Sequence, residues 1–281
     1  CCIMSKPSGA IDMTQGKPIN LMLRFALPMM IGSIFQSLYS MVDSAVLGRF
    51  VGSHALAAIG ATTSTTGLIL LLATGVTSAI SIVLSQYVGA NDTDRVRKGI
   101  VASGWITLLL GVVLGLISVF AARPLMQLLK TPEDVIDMSV LYIQIVCGCG
   151  IAQFAYNAAA SILRALGDSK TPLYFLILCS ILNVILDLIS VIGLNMGVAG
   201  VAVATVGSQA ISAAICILVM FRKYPDLMPK RHTLRLDMPV SLKIFGMGAQ
   251  MALQSLFLSV GMMVITRVIN GYGSNVVAAF T

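Results

Sequence analysis

Long apolar runs broken by short polar stretches dominate this chain. Read against that punctuation, they predict spans at about residues 25–48, 56–86, 99–121, 137–163, 172–193, 199–221 and 241–268, with an eighth opening near Val276. A membrane crossing takes about 20 helical residues, and each of the seven runs reaches that length. The runs are too long and too evenly apolar for the alternating strands of a barrel, so helices are expected. The fold class that follows is all-α and integral to a membrane.

Composition strengthens that reading. Of the 281 residues, 57% are hydrophobic and 10% are charged, whereas a soluble domain carries about a quarter charged residues. Pro and Gly inside the runs are tolerated in lipid, where neighbouring helices satisfy the freed backbone groups. Residues 1–20 are polar and hold no apolar core, so no signal peptide is read there. The first span is expected to serve as its own insertion signal. Cys147, Cys149, Cys179 and Cys216 fall inside spans, where they are expected to behave as small hydrophobes. Cys1 and Cys2, at a start without Met, are read as a cut chain end rather than as a lipoprotein cysteine.

The net charge of +7 invites a nucleic-acid reading, but its distribution argues for topology. With the N-terminus in the cytoplasm, that side collects Lys6, Lys17 and Arg24, then Arg95, Arg97 and Lys98, then Arg164 and Lys170. The loop after the sixth span adds Arg222, Lys223, Lys230, Arg231, Arg235 and Lys243. Only Arg49, Arg123, Lys130 and Arg267 are left for the other side, so 14 of the 18 basic residues are cytoplasmic. Such a split is what the positive-inside rule predicts. The expected partner of this charge is the bilayer, and no nucleic acid. Asn91-Asp92-Thr93 matches a glycosylation sequon, but it falls on the cytoplasmic side and is read as accidental.

The seventh span echoes the first. Gln36-Ser37-Leu38 recurs as Gln254-Ser255-Leu256, and at the same offset of 218 Arg49 meets Arg267. After a three-residue slip, Gly52-Ser53 and Ala57-Ala58 match Gly273-Ser274 and Ala278-Ala279. Six spans separate the copies, so both share one orientation, as in the parallel repeats of secondary transporters. The expected organisation is a cytoplasmic tail (1–24), a six-helix lobe (25–221), a basic inter-lobe loop (222–240), and the beginning of a second lobe (241–281).

Of eleven acidic residues, only Asp43 and Asp187 fall well inside spans. A carboxylate there costs on the order of 3 kcal/mol or more, which makes each a candidate for function. Both sit roughly 8–9 Å below the outer ends of their helices, at 1.5 Å per residue. Thr205 on the sixth span has the same depth, and Asn183 lies one turn below Asp187 on its face. Two carboxylates, an amide and a hydroxyl can thus converge, a donor set for Na⁺ or a relay for H⁺. Capping or snorkelling of each Asp at the interface is the structural alternative. Gln36 and Tyr39 share the helical face of Asp43, Asn157 is an inward polar candidate, and Pro28 is expected to kink the first span.

Other features read as packing. Gly200, Ala204, Ser208 and Ser212 form one small-residue stripe, and Gly111 with Gly115 forms another. The many Met residues are taken as lipid-facing or core. His54 and His232 lie in loops without partners at metal or catalytic spacing. There is no Walker A motif, no H-E-x-x-H and no nucleophile elbow. No enzyme is expected, no bound cofactor, and no metal beyond Na⁺.

On these residues the chain resembles the multidrug and toxic compound extrusion (MATE) family in its prokaryotic branch. The resemblance rests on Ala26-Leu27-Pro28, Val42-Asp43 and Gln86-Tyr87-Val88-Gly89-Ala90. Its most specific stretch is Leu163-Arg164-Ala165-Leu166-Gly167-Asp168-Ser169-Lys170-Thr171-Pro172. It implies a six-helix N-lobe followed by the start of a repeat-related second lobe, whose remainder is missing from this chain. It also implies antiport of Na⁺ or H⁺ against cationic, amphipathic small molecules across the cell membrane. Asp43, Asn183, Asp187 and Thr205 stand at the family's cation positions. Gln36 and Tyr39 match its drug pocket, and Pro28 matches its bending proline. The rival within the superfamily is a flippase for lipid-linked oligosaccharides. It is disfavoured because every Lys and Arg lies at an edge or in a loop.

Overall fold

The computed structural model describes residues 17–129, 131–227 and 237–270. The tail to residue 16, most of the basic loop, and the expected start of an eighth span lie outside those residues. So do the repeat matches at Gly273-Ser274 and Ala278-Ala279.

Among the described residues, eight α-helices follow one another: α1 (Pro18–Phe50), α2 (Ser53–Gly89), α3 (Thr93–Leu128), α4 (Glu133–Gly148), α5 (Ile151–Ala165), α6 (Lys170–Leu188), α7 (Gly197–Lys223) and α8 (Met238–Asn270). Among the described residues, five stretches are long and apolar enough to cross a membrane: α1, α2, α3, α7, and α6 with the turn that follows it. The pair α4 and α5, bent by 44°, counts as a sixth if taken as one span. Large apolar side chains such as Leu109, Phe120 and Leu218 stay exposed, as lipid-facing positions do. The membrane reading and the all-α fold class both hold.

The loops are written in turn chemistry. α2 stops at Asn91, whose φ of 55° is left-handed, with Asp92 N–H bonded to Tyr87 O and Asn91 N–H to Val88 O. That is a Schellman stop with Asn in the glycine position. Asp92 then caps α3 by accepting from Arg95 N at 3.0 Å. The apparent sequon is therefore a helix stop followed by a helix start. Gly167, at φ 84°, ends α5 in the same way, with Asp168 N–H on Leu163 O and Gly167 N–H on Arg164 O.

Two expectations of continuous helix need correction. The fourth span is broken at Gly148-Cys149-Gly150, where the ladder gives way to short bonds from Gly150 N to Cys147 O and from Ala152 N to Cys149 O. Helix α3 packs into this elbow through its two glycines. A Cβ on Gly115 would stand 3.0 Å from Gly148 O, and one on Gly111 would stand 3.0 Å from Ile151 Cα. The fifth span ends as a π-helical turn, Ile189–Gly193, closed by Leu194 N–H on Ile189 O. The kink expected at Pro28 does not interrupt α1, which runs unbroken through it. Cys147, Cys179 and Cys216 are buried as expected, but Cys149 is exposed at the elbow.

Side chains of α2, α3, α5, α7 and α8 share the largest apolar cluster, around Ile80, Leu84, Val96, Leu163 and Ile244. A second cluster fixes the end of α1, with Val46 and Leu47 packed on Val191, Val198 and Val201. The stripe Gly200, Ala204, Ser208 and Ser212 is buried throughout. A Cβ on Gly200 would meet Ser190 Cβ at 3.1 Å, so this stripe lets α7 lie close against the π turn. Helices α1 and α8 are both 33 residues long, and the bounds of α8 fall within two residues of those given by an offset of 218. α8 lies along α2, with Gly75 against Ala252.

The elbow yields a testable contrast. Gly115→Ala should destabilise the protein by about 1–3 kcal/mol through overpacking against backbone. Gly104→Ala, whose Cβ meets nothing within 4 Å, should not. Melting temperatures in detergent, followed by size-exclusion, check this; equal melting of the two variants contradicts the packing assignment.

Candidate functional site

Asp43 lies on α1 just before the part of that helix anchored by Leu47. Asn183 and Asp187 lie one turn apart on α6, immediately before the π turn, and Thr205 projects from α7. Asn183 and Asp187 are 0% exposed and Thr205 is 7% exposed, while Asp43 is half-buried. Asn183 Nδ2 donates to Thr205 Oγ1 across a long 3.5 Å. Asp43 and Asp187 face one another, with Tyr142 beside both. The structure therefore brings the four expected residues together.

What marks the group is what it lacks. Asp43 Oδ1, Asn183 Oδ1 and both carboxyl oxygens of Asp187 are buried with no hydrogen-bond partner among the described residues. Buried polar atoms are ordinarily paired, and an unpaired buried charge costs several kcal/mol. Four orphan oxygens from two helices at one point make a hard, anionic donor set. Such a set fits an alkali cation or a shared proton. Among the described residues, no backbone N–H donates to either carboxyl.

Two tyrosines complete the surroundings. Tyr39, one turn before Asp43, stands beside both Asp43 and Thr205. Tyr142, from α4, faces both Asp43 and Asp187. Tyr142 did not emerge from the sequence, although it lies five residues inside the outer edge of the fourth span. That is the depth of Asp43 and Asp187, and the same measure would have found it. Asp43, Tyr39 and Thr205 open onto a cavity of about 360 Å³, also lined by Gln36, Tyr142, Gln153 and Gln209. Asn157 meets Gln36 and Tyr39 only at a smaller void of about 50 Å³, and its amide donates to Gln153 O at 3.0 Å within its own helix. Gln153 and Gln209 face both spaces and were also missed; neither stands near an acidic residue in the sequence.

The MatE family model matches residues 28–189 of the chain, a stretch that carries Pro28, Asp43, Asn183 and Asp187. The chain belongs to the MatE family.

A relative in Bacillus subtilis (strain 168), described as probable multidrug resistance protein YpnP, is 32% identical over 275 residues, covering 96% of this chain and 60% of that protein. A crystal structure of a MATE in the straight conformation aligns with a TM-score of 0.84 at 25% identity, over 98% of this chain and 62% of its own. A MATE in the bent conformation gives 0.80 at 26% identity, over 94% and 59%. The chain thus spans about 60% of the length of the curated relatives it matches. The earlier resemblance to the MATE family stands, and the match covers the first lobe and its continuation into α8.

Within this MatE lobe, Pro28 lies apart from the carboxyl pair, in the other half of α1. It borders a separate cavity of about 350 Å³ with Gln36 and Arg164. Arg164, in the last turn of α5, stands at a span edge as expected, and there it is half-buried and lines that space.

Removing the partner of Asn183 should be measurable. Thr205→Val leaves the buried amide without its acceptor and is expected to cost about 1 kcal/mol, the low end for so long a bond. Thr205→Ser should restore most of that in a thermal melt. A valine variant as stable as wild type would show that the Asn183–Thr205 contact carries no weight.

Proposed function

We propose that the full-length protein is a secondary exporter of cationic, amphipathic small molecules, driven by antiport of Na⁺ or H⁺. The observation that carries this reading is the pair Asp43 and Asp187, with its orphan oxygens, placed where α1 meets α6 and opening on a cavity. The names of the relatives, probable multidrug resistance and multidrug export proteins, support the substrate class. The second lobe supplies the other wall of the transport cleft. The protein lies in the cell membrane with its N-terminus cytoplasmic, on the strength of the basic-residue distribution.

The mechanism follows from how α1 is held. Its outer end is clamped by Val46 and Leu47. Its other half packs on α6 with Pro28 and Gly32 buried, a Cβ on Gly32 meeting Leu176 at 3.2 Å, and leaves Leu27, Met30, Ile34 and Leu38 exposed. Pro28 removes one backbone hydrogen bond within that loosely held half, which makes it the easiest place to bend. An ion bound by Asp43 and Asp187 draws α1 toward α6 through Asp43. Release of the ion leaves two facing carboxylates that attract a cationic substrate instead. Ion and drug compete for one negative site, so each expels the other. The energy comes from the ion gradient, with no cofactor held by this lobe.

The rival flippase reading requires several cations in the central space. Among the described residues, Arg164 is the one basic side chain lining the cavities named above, set at the end of α5, so drug export remains the better reading.

Ethidium efflux from cells expressing the full-length protein tests the proposal, with Asp43→Asn and Asp187→Asn beside wild type. Wild type should export, and both variants should lose most of the activity at equal expression. Omitting Na⁺ then identifies the coupling ion. If both variants export like wild type, coupling does not run through this pair.

A further inference from the structure

Arg164 ends α5 in an environment that does not neutralise it. Among the described residues, its guanidinium has one hydrogen-bond partner, Ser161 Oγ at 3.0 Å, and no carboxylate forms an ion pair with it. The nearest acid in the chain, Asp168, is fully engaged elsewhere. It accepts from Thr171 N at 3.1 Å, Thr171 Oγ1 at 2.6 Å and Lys223 Nζ at 2.6 Å. A half-buried guanidinium with unused donors is costly unless something anionic meets it.

The cavity beside Arg164 offers a second, independent sign. Ser169, which precedes the first turn of the 19-residue helix α6, lines the same space of about 350 Å³. It is 4% exposed, and its Oγ has no hydrogen-bond partner among the described residues. An orphan hydroxyl and a guanidinium fork lining one cavity are donors that can hold a phosphate. The other wall is apolar, built from Pro28, Met29, Met30 and Leu173. Met29 and Met30 are themselves exposed on the outer surface of α1, so the apolar wall is continuous with a lipid-facing helix. Polar head and apolar body are provided for side by side.

We propose that Arg164 and Ser169 form a binding site for the phosphate head of an anionic amphiphile, a membrane phospholipid lying along the Pro28 half of α1. The site is separate from the Asp43–Asp187 pair and opposite to it in charge. It does not depend on the export reading. A lipid seated there packs against the part of α1 that is otherwise least held.

Native mass spectrometry of the full-length protein in detergent tests this, with phosphatidylglycerol, phosphatidylcholine and inorganic phosphate titrated separately. Wild type should retain phosphatidylglycerol in preference to phosphatidylcholine, and millimolar phosphate should compete. Arg164→Gln should weaken retention about tenfold or more, the worth of a hydrogen bond to a charged group. Ser169→Ala should weaken it by a smaller factor. Retention of phosphatidylglycerol by Arg164→Gln at the wild-type level, with unchanged elution and helicity, overturns the proposal. Should that variant fail to fold, undiminished retention by Ser169→Ala overturns it equally. Binding of phosphate without any binding of lipid overturns the assignment to an amphiphile.

Discussion

The carboxyls of Asp43 and Asp187 are held face to face inside an apolar helical bundle that, among the described residues, offers them no basic partner. Three of their oxygens are buried without a hydrogen-bond partner among the described residues, a costly arrangement, and much of the surrounding structure can be read as the means of keeping it. The π turn after Asp187 packs tightly on the small-residue stripe of α7. Val46 and Leu47 pin the end of α1 in the same cluster. Tyr39 and Tyr142 close the sides. Rigid backing on α6 and α7 prevents the two acids from relaxing apart on that side, so relief must come from an added positive charge or from movement of α1.

Helix α1 is built for such movement. It is clamped at the Asp43 end and loosely packed at the Pro28 end, with a broad apolar face left uncovered. Under the proposed mechanism, α1 works as a lever against α2 to α7, with Asp43 on its short arm. Under that mechanism, ion binding at the short arm is linked to the position of the long arm because the helix is continuous between them. The site proposed at Arg164 and Ser169 would act on the other end of the same lever.

Much of this was legible in the sequence, and the parts that were not have physical reasons. Spans followed from apolar run length, and the depth of Asp43, Asp187 and Thr205 followed from helical rise alone. The break in the fourth span was not legible, because Gly-Cys-Gly is as apolar as its flanks and lipid tolerates glycine within helices. The π turn escaped for a similar reason: hydropathy is blind to one extra residue per turn. Tyr142 was missed because a tyrosine near a membrane interface ordinarily needs no explanation, and only its depth distinguishes it. Arg164 was assigned to a loop by its place at the edge of a span. Burial at that edge depends on how α1 covers it, which no local pattern encodes.

The most direct test is whether the orphan oxygens bind the coupling ion at all. Thermal melts of the purified full-length protein should be recorded against Na⁺ concentration at fixed pH, and against pH at fixed ionic strength. A ligand that binds only the folded state raises stability with the logarithm of its concentration once above its dissociation constant. The account predicts such a rise for one of the two ions in wild type, and its loss in Asp187→Asn. A wild-type protein indifferent to both ions, or a variant that keeps the full response, would contradict it.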